Sequence, residues 1–242
     1  KVEIMKSVLL FDIDGTLVNS TGDSEPVHHK VMKVRGCTRF PTARESSGLT
    51  DWGLLASINS LNNNKVSENE LQVCFAELDT AYLRKLQDVK LSNCIGVSHS
   101  NLSLLAQYFD LGILTGNTYR RAFNKIERIG IDAFFEKELI FTAQVRESRD
   151  ELAARVRNRF SSTTHKVIVI GDTPKDITAA QNAGLTSIGI ATGKFSLDEL
   201  IKFSPDLAAQ RLANAELSSS LPALKRLLCF ALFLLGANRT TI

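Results

Sequence analysis

The sequence predicts an α/β protein: a Rossmann-like parallel sheet with helices on both faces, interrupted by an inserted all-helical subdomain. Short apolar runs typical of strands buried on both faces occur at residues 7–13, 111–114, 139–141, 167–170 and 186–190. Segments with helical periodicity lie between or beside them, at residues 102–108, 119–129, 149–160 and 175–182. Strand–helix alternation of this kind predicts a parallel sheet covered by helices on each side.

The stretch from residue 19 to residue 93 breaks this alternation. It contains no convincing strand, but helical patterns occur at residues 27–34, 52–61 and 70–86. Ser67 followed by Glu70 is typical of a capping box that opens the last of these helices. We therefore predict an α/β core formed by residues 1–18 and 94–242, with a helical subdomain inserted at residues 19–93.

Composition limits the classes of protein that are possible. The 242 residues carry 29 Lys+Arg and 26 Asp+Glu, a net charge of +3. This balance argues against a disordered tail protein and against a nucleic-acid binder. The four cysteines form no C-x-x-C pair, which indicates small buried side chains in a reducing compartment. The N-terminus lacks the apolar region of a signal peptide, so a cytoplasmic protein is expected.

The apolar run Leu227–Leu235 near the C-terminus is too short to cross a bilayer, which takes about 20 residues. It predicts a buried final helix or a self-association surface rather than a membrane contact. We therefore expect no membrane partner, and either a monomer or a homodimer.

Polar residues follow the buried strands at the points where ligands bind in open α/β sheets. Asp12 and Asp14 follow the first strand, and Asp172 and Asp176 follow the run at 167–170. The segment 115–117 (Thr-Gly-Asn) adds a hydroxyl and a turn into the next helix, whose N-terminus favours an anion. Clustered carboxylates repel one another, so they predict a bound cation, and Mg²⁺ prefers such oxygen ligands. The sequence therefore predicts a crevice that binds Mg²⁺ and a phosphate-bearing partner.

Three motifs in this order, DIDGT at 12–16, TGN at 115–117 and GDTPKD at 171–176, resemble the signature motifs of the haloacid dehalogenase (HAD) superfamily. The resemblance is to its phosphoglycolate phosphatase-like branch. It implies an HAD-like core, a helical cap subdomain formed by the insertion, and a Mg²⁺-dependent phosphatase that works through an aspartyl-phosphate.

The resemblance also assigns roles to individual residues. Asp12 is the nucleophile, and Asp14 protonates the leaving alcohol and later activates water. The metal ligands are the carboxylates of Asp12 and Asp172 and the backbone carbonyl of Asp14. Thr16 and Asp176 lie in the layer around these ligands, where Asp176 orients a metal-bound water or the basic residue. The phosphoryl oxygens are held by Thr115, Gly116 and Asn117.

Two assignments remain open in the sequence. The superfamily uses a Lys or Arg upstream of the last acidic motif, and either Arg149 or Arg146 can supply it here. In the insertion, Arg44, Thr50 and Trp52 are candidate substrate contacts, but packing of the cap or capping of a helix explains them equally well.

The sequence thus predicts a phosphoric monoester hydrolase acting on a small phosphorylated metabolite, either phosphoglycolate-like or a sugar phosphate. A phosphomutase of the β-phosphoglucomutase type is one alternative, and a non-catalytic HAD-fold binding protein is another. A dehalogenase is disfavoured, because true dehalogenases of the superfamily lack an acid at the position of Asp14.

Overall fold

The computed structural model of the protein describes residues 7–22, 26–85, 89–94, 97–161 and 166–212. The strands are β1 (Ser7–Phe11), β2 (Val18–Gly22), β3 (Val89–Asn93), β4 (Phe109–Thr115), β5 (Ile140–Thr142), β6 (Val167–Gly171), β7 (Thr186–Ile190) and β8 (Leu207–Ala209). The α-helices are α1 (Val27–Lys33), α2 (Asp51–Leu61), α3 (Glu68–Lys85), α4 (His99–Ala106), α5 (Tyr119–Arg128), α6 (Arg149–Arg159), α7 (Pro174–Asn182) and α8 (Leu197–Ile201). Short 3₁₀ turns at Asp132–Phe134 and Lys137–Leu139 precede β5.

The central sheet is parallel and has the strand order β5-β4-β1-β6-β7-β8. Successive side chains of β1 point to opposite faces, as they must in a strand. Leu9 and Phe11 join one buried apolar cluster, with α4 and α5, while Val8 and Leu10 join a second cluster, with α6 and α7. The predicted fold class, a parallel sheet with helices on both faces, is confirmed.

The helices α1, α2 and α3 form a separate apolar cluster around Met32, Leu55, Ile58 and Leu78, all of them fully buried. A two-stranded antiparallel pair, β2 with β3, joins these helices to the core. The expectation that residues 19–93 hold no strand was therefore wrong. The two strands read VNSTG and VKLSN, which contain no aromatic residue and no run of apolar residues, and their pairing joins positions about 70 residues apart.

Most predicted elements lie within two or three residues of their observed bounds. Gly184 ends α7 with a φ of +67°, the left-handed conformation expected of a helix C-terminal glycine. The edge strand β8 was not predicted, because its three residues carry no periodic signal. Cys37, Cys74 and Cys94 are buried and unpaired, as expected.

Within the described ranges, no helix is long and apolar enough to cross a membrane. The apolar run Leu227–Leu235 and Cys229 lie outside the described residues. The prediction of a buried final helix or a self-association surface there stays a prediction.

Candidate active site

The turn after β1 carries the first two carboxylates. The Asp12 backbone N–H donates to the Ile170 carbonyl at 2.9 Å, so the end of β1 is pinned to β6. The chain then turns at Gly15, which has a φ of +85°. A Cβ at this position would lie 2.4 Å from Asp172 Oδ2, so only glycine allows the close approach of the two strand ends.

Three buried carboxylates meet at these strand ends. Oxygen atoms of Asp12, Asp172 and Asp176 lie within 4.8 Å of one another, and the three residues are 7%, 3% and 2% exposed. The Thr16 hydroxyl donates to Asp172 Oδ1 at 3.0 Å. The family resemblance places Asp176 in the layer around the metal ligands. In the structure, its carboxylate lies in the same cluster as those of Asp12 and Asp172.

Burial and mutual repulsion make Asp12 and Asp172 hard to ionise. Burial, followed by the charge of Asp176, raises the pKa of Asp172 to about 8. The pKa of Asp12 is raised to about 7, again mainly by burial, while Arg149 opposes the rise. A cation among the oxygens would remove this cost, and a hard divalent ion fits an all-oxygen donor set. A Cβ on Gly193 would lie 1.7 Å from Asp172 Oδ2. Gly15 and Gly193 therefore both leave space for the Asp172 carboxylate.

Arg149 lies beside the cluster at the start of α6. A capping box between Ser148 and Glu151 fixes this helix N-terminus. The Arg149 Nη2 atom lies 2.5 Å from Asp176 Oδ1 and 3.3 Å from Asp12 Oδ1, and it donates to the Leu114 carbonyl at 3.1 Å. The open choice between two arginines now favours Arg149, because Arg146 forms a surface ion pair with Glu68 of α3.

Asp14 points away from the cluster into a second polar network. Lys125 of α5 donates to its Oδ1 and Oδ2 atoms at 2.7 and 2.5 Å. Asn117 Nδ2 donates to Asp14 Oδ2 at 2.7 Å and to Thr115 Oγ1 at 2.9 Å. Although burial opposes ionisation, Lys125 and Asn117 hold the pKa of Asp14 below its usual value. The structure therefore places Thr115, Asn117 and Asp14 together, with a lysine that the sequence analysis did not identify.

The loop before α2 and the start of that helix seat the cap on the core. Asp51 accepts hydrogen bonds from the Thr118 N–H at 2.8 Å and from His28 Nε2 at 2.9 Å, and it forms an ion pair with Arg121. Its backbone N–H donates to the Gly116 carbonyl at 2.7 Å. Burial opposes ionisation of Asp51, but Arg121 and the hydrogen bond from His28 hold its pKa far below the usual value. Burial lowers the pKa of His28.

Two predicted substrate contacts are used elsewhere. The Thr50 side chain accepts the Gly53 N–H as the N-cap of α2 and donates to the Glu147 carbonyl at 2.6 Å. Trp52 packs edge-to-face on Phe75 against the apolar cluster of the cap. Neither residue lines the cavity between cap and core, because the first turn of α2 directs them into helix capping and packing.

A cavity of about 920 Å³ lies between cap and core. Arg44 is not among its lining residues; it forms an ion pair with Glu199 outside it. The core contributes Asp12, Asp14, Thr115, Asn117, Arg149 and Asp172 to the lining, and the cap contributes His28, Asp51, Tyr82 and Lys85. Carboxylates and cations thus line one cavity, as in a site for a charged substrate and a metal ion.

The fold and this site together define an α/β protein with a parallel sheet and an acidic cluster at the carboxyl ends of its strands. A family model described as haloacid dehalogenase-like hydrolase matches residues 9–190. The chain belongs to this family, as its motifs indicated.

Individual relatives agree with this assignment. The chain is 24% identical over 213 residues to the pyrophosphatase PpaX of Listeria innocua, covering 86% of this chain and 94% of that protein. It is 24% identical over 207 residues to a phosphoglycolate phosphatase of Colwellia psychrerythraea, covering 83% and 91%. Among solved structures, a HAD hydrolase of Entamoeba histolytica has a TM-score of 0.64 at 20% identity, over 93% of this chain and 100% of that one. The prediction of an enzyme, a phosphoric monoester hydrolase, agrees with the family and with these names.

The sequence analysis missed the cationic face of α5. Arg121 and Lys125 are four residues apart, so they lie one turn apart on the same side of the helix as the buried Ala122 and Ile126. Cationic residues at the same helical spacing as the buried apolar residues are the sequence signal that could have identified Arg121 and Lys125. Their carboxylate partners, Asp51 and Asp14, are distant in sequence and could not have been paired without the structure.

Proposed function

We propose that this protein is a Mg²⁺-dependent phosphatase that hydrolyses a small phosphorylated metabolite through an aspartyl-phosphate on Asp12. The observation that carries the proposal is the buried cluster of Asp12, Asp172 and Asp176 beside the Arg149 guanidinium. Similarity to relatives named phosphoglycolate phosphatase and pyrophosphatase supports a small phosphorylated substrate.

The carboxylates of Asp12 and Asp172 suit Mg²⁺, together with the Asp14 backbone carbonyl implied by the family resemblance. Asp176 is less available as a direct ligand, because Arg149 binds its Oδ1 and Thr173 donates twice to its Oδ2. When bound, Mg²⁺ neutralises these carboxylates and stabilises negative charge on the phosphoryl oxygens.

In the first step, a carboxylate oxygen of Asp12 attacks phosphorus, and the bond from phosphorus to the leaving oxygen breaks. Arg149 balances the charge of the nucleophile and of the phosphoryl group. Thr115 and the N–H groups that follow β4 donate to the phosphoryl oxygens, whose charge is largest in the transition state.

Asp14 handles the protons on the leaving-group side. Its carboxylate is held ionised in the substrate-free protein, which is the form that accepts a proton from the attacking water in the second step. A phosphate dianion beside it raises its pKa by repulsion, and this favours the protonated form that the leaving oxygen needs in the first step.

The cap bears on specificity, because its side chains line the cavity together with those of the core. His28, Tyr82 and Lys85 are among the cap residues that line it, which makes them candidates to contact the leaving group of the substrate. Seating of the cap through Asp51 would exclude water during phosphoryl transfer.

Activity of an Asp12→Asn variant tests the proposal. The amide is nearly isosteric but cannot form the acyl phosphate, so hydrolysis of p-nitrophenyl phosphate in Mg²⁺ should fall by at least about 10³-fold. Asp198→Asn is the matched control, because Asp198 is exposed at the start of α8 and is not among the cavity-lining residues.

Persistent hydrolysis by the Asp12→Asn variant would contradict the mechanism. Wild-type protein that is inactive on a broad panel of phosphate esters with Mg²⁺ would favour the binding-protein alternative. Isomerisation of hexose phosphates without release of free phosphate would favour the phosphomutase alternative. Sedimentation of the full chain would decide between a monomer and a homodimer.

A further inference from the structure

One buried lysine near the site has no role in the steps described above. Lys125 of α5 is 4% exposed, and its Nζ atom donates to Asp14 Oδ1 at 2.7 Å, to Asp14 Oδ2 at 2.5 Å and to Asn117 Oδ1 at 2.8 Å. An ammonium group has three N–H donors. All three are therefore directed at Asp14 and Asn117, and none is left to bind a phosphoryl oxygen directly.

Asn117 completes the support of the same carboxylate. Its Nδ2 donates to Asp14 Oδ2 at 2.7 Å and to Thr115 Oγ1 at 2.9 Å. A continuous hydrogen-bonded chain thus runs from Lys125 through Asp14 and Asn117 to Thr115. It ties the acid–base carboxylate to the strand end proposed to hold the phosphoryl group.

Asp14 needs such support because the backbone alone does not hold its side chain. The side chain is 44% exposed to the cavity, and the turn at Gly15 follows at once. A free aspartate in this place can rotate about two bonds. Lys125 is rigidly placed by comparison, since the neighbouring Ala122 and Ile126 are fixed in the core and the Tyr82 ring of the cap lies 5.7 Å from its Nζ.

We infer that Lys125 is a positioning residue that holds the Asp14 carboxylate in register with the leaving oxygen of the substrate. The inference rests on the proposed function of Asp14 and deepens it. Misplacing a reacting group by about 1 Å can cost about 100-fold in rate. Loss of Lys125 should therefore impair the proton transfer to the leaving oxygen more than the attack by Asp12.

The test uses two substrates that differ in their need for a proton. p-Nitrophenolate leaves without protonation, whereas the alkoxide from ethyl phosphate leaves only when an acid supplies a proton. In Lys125→Met, the ratio of kcat/KM for ethyl phosphate to kcat/KM for p-nitrophenyl phosphate should fall about 100-fold relative to wild type. This ratio reports the steps up to cleavage of the bond to the leaving oxygen and excludes the later hydrolysis that both substrates share. Lys137→Met is the matched control, because Lys137 is exposed in the 3₁₀ turn before β5, and it should keep the wild-type ratio.

A double-mutant cycle separates positioning from general damage. If Lys125 acts through Asp14, then adding Lys125→Met to Asp14→Asn should lower kcat for ethyl phosphate by less than about threefold. Independent losses that multiply in the double variant would overturn the inference. So would an equal fall in kcat/KM for both substrates in the single variant.

Failure of this inference differs from failure of the proposed function. An active wild type whose ratio drops in Asp14→Asn but not in Lys125→Met would overturn the role of Lys125 alone. A wild type inactive on both esters would overturn the proposed function and this inference together. If circular dichroism shows that Lys125→Met does not fold, Lys125→Gln repeats the test with a polar side chain, and the same two outcomes decide it.

Discussion

The raised pKa values of the acidic cluster predict how pH and metal together control stability. In the metal-free protein, burial raises the pKa of Asp12 from its ordinary value of 3.8 to about 7 and that of Asp172 to about 8. The folded protein therefore binds more protons than the unfolded chain between about pH 4 and pH 8. The free energy of unfolding must then fall as pH rises through this window.

The size of the effect follows from the Asp12 value. A rise from 3.8 to about 7 corresponds to a loss on the order of 4 kcal/mol at about 1.4 kcal/mol per pKa unit. Asp12 and Asp172 repel each other and titrate as a pair, so their contributions are shared rather than summed. His28 acts in the opposite direction, because its lowered pKa makes the folded state less stable at acid pH.

Urea unfolding at pH 5, 6, 7 and 8, with chelator and with Mg²⁺, measures this effect. We expect the metal-free wild type to lose stability relative to Asp12→Asn as pH rises, because the amide carries no charge to bury. Mg²⁺ should remove most of that difference in slope, and its binding near pH 7 should release protons. Parallel pH curves for wild type and Asp12→Asn without metal would refute the reasoning, since His28 affects both proteins equally.

Three further substitutions test the neighbouring geometry. Gly193→Ala places a methyl group where Asp172 Oδ2 lies 1.7 Å away, so Mg²⁺ activation should weaken by about tenfold or more; an unchanged activation constant would contradict the crowding. Asp51→Ala leaves Arg121 without its buried carboxylate and should lower the free energy of unfolding by about 3–5 kcal/mol in urea; a loss below about 1 kcal/mol would argue against a seated cap. Thr50→Ala removes the N-cap hydrogen bond of α2 and should lower the free energy of unfolding by about 1–2 kcal/mol. Unchanged stability with a raised KM would instead indicate that Thr50 contacts the substrate.

The sequence predicted the parts of the site that depend on local chain order. Asp12 and Asp172 each follow a buried apolar run, and parallel strands bring their carboxyl ends to one edge of the sheet. For that reason the acidic cluster could be predicted without coordinates. The sequence left the choice of the basic residue open between Arg149 and Arg146, because both lie near the start of the same helix.

The cap was harder to predict, because the roles of its residues depend on contacts with the core. Thr50 and Trp52 lie in a loop and a first helical turn. At such positions the sequence does not distinguish helix capping, packing and substrate binding. In the structure, Thr50 caps α2 and Trp52 packs on Phe75. Asp51, between them, makes the contacts to Arg121 and Thr118.

The sequence by itself determined the fold class and the carboxylates at the strand ends, since both follow from short-range patterns of apolar and polar residues. Only the tertiary structure decided what Asp14 contacts. Its partner Lys125 lies 111 positions away on α5. Helical periodicity can place Lys125 on the buried face of that helix, but it does not say which carboxylate Lys125 binds. The packing of helices and strands decides which distant charges pair, and local sequence patterns do not predict it.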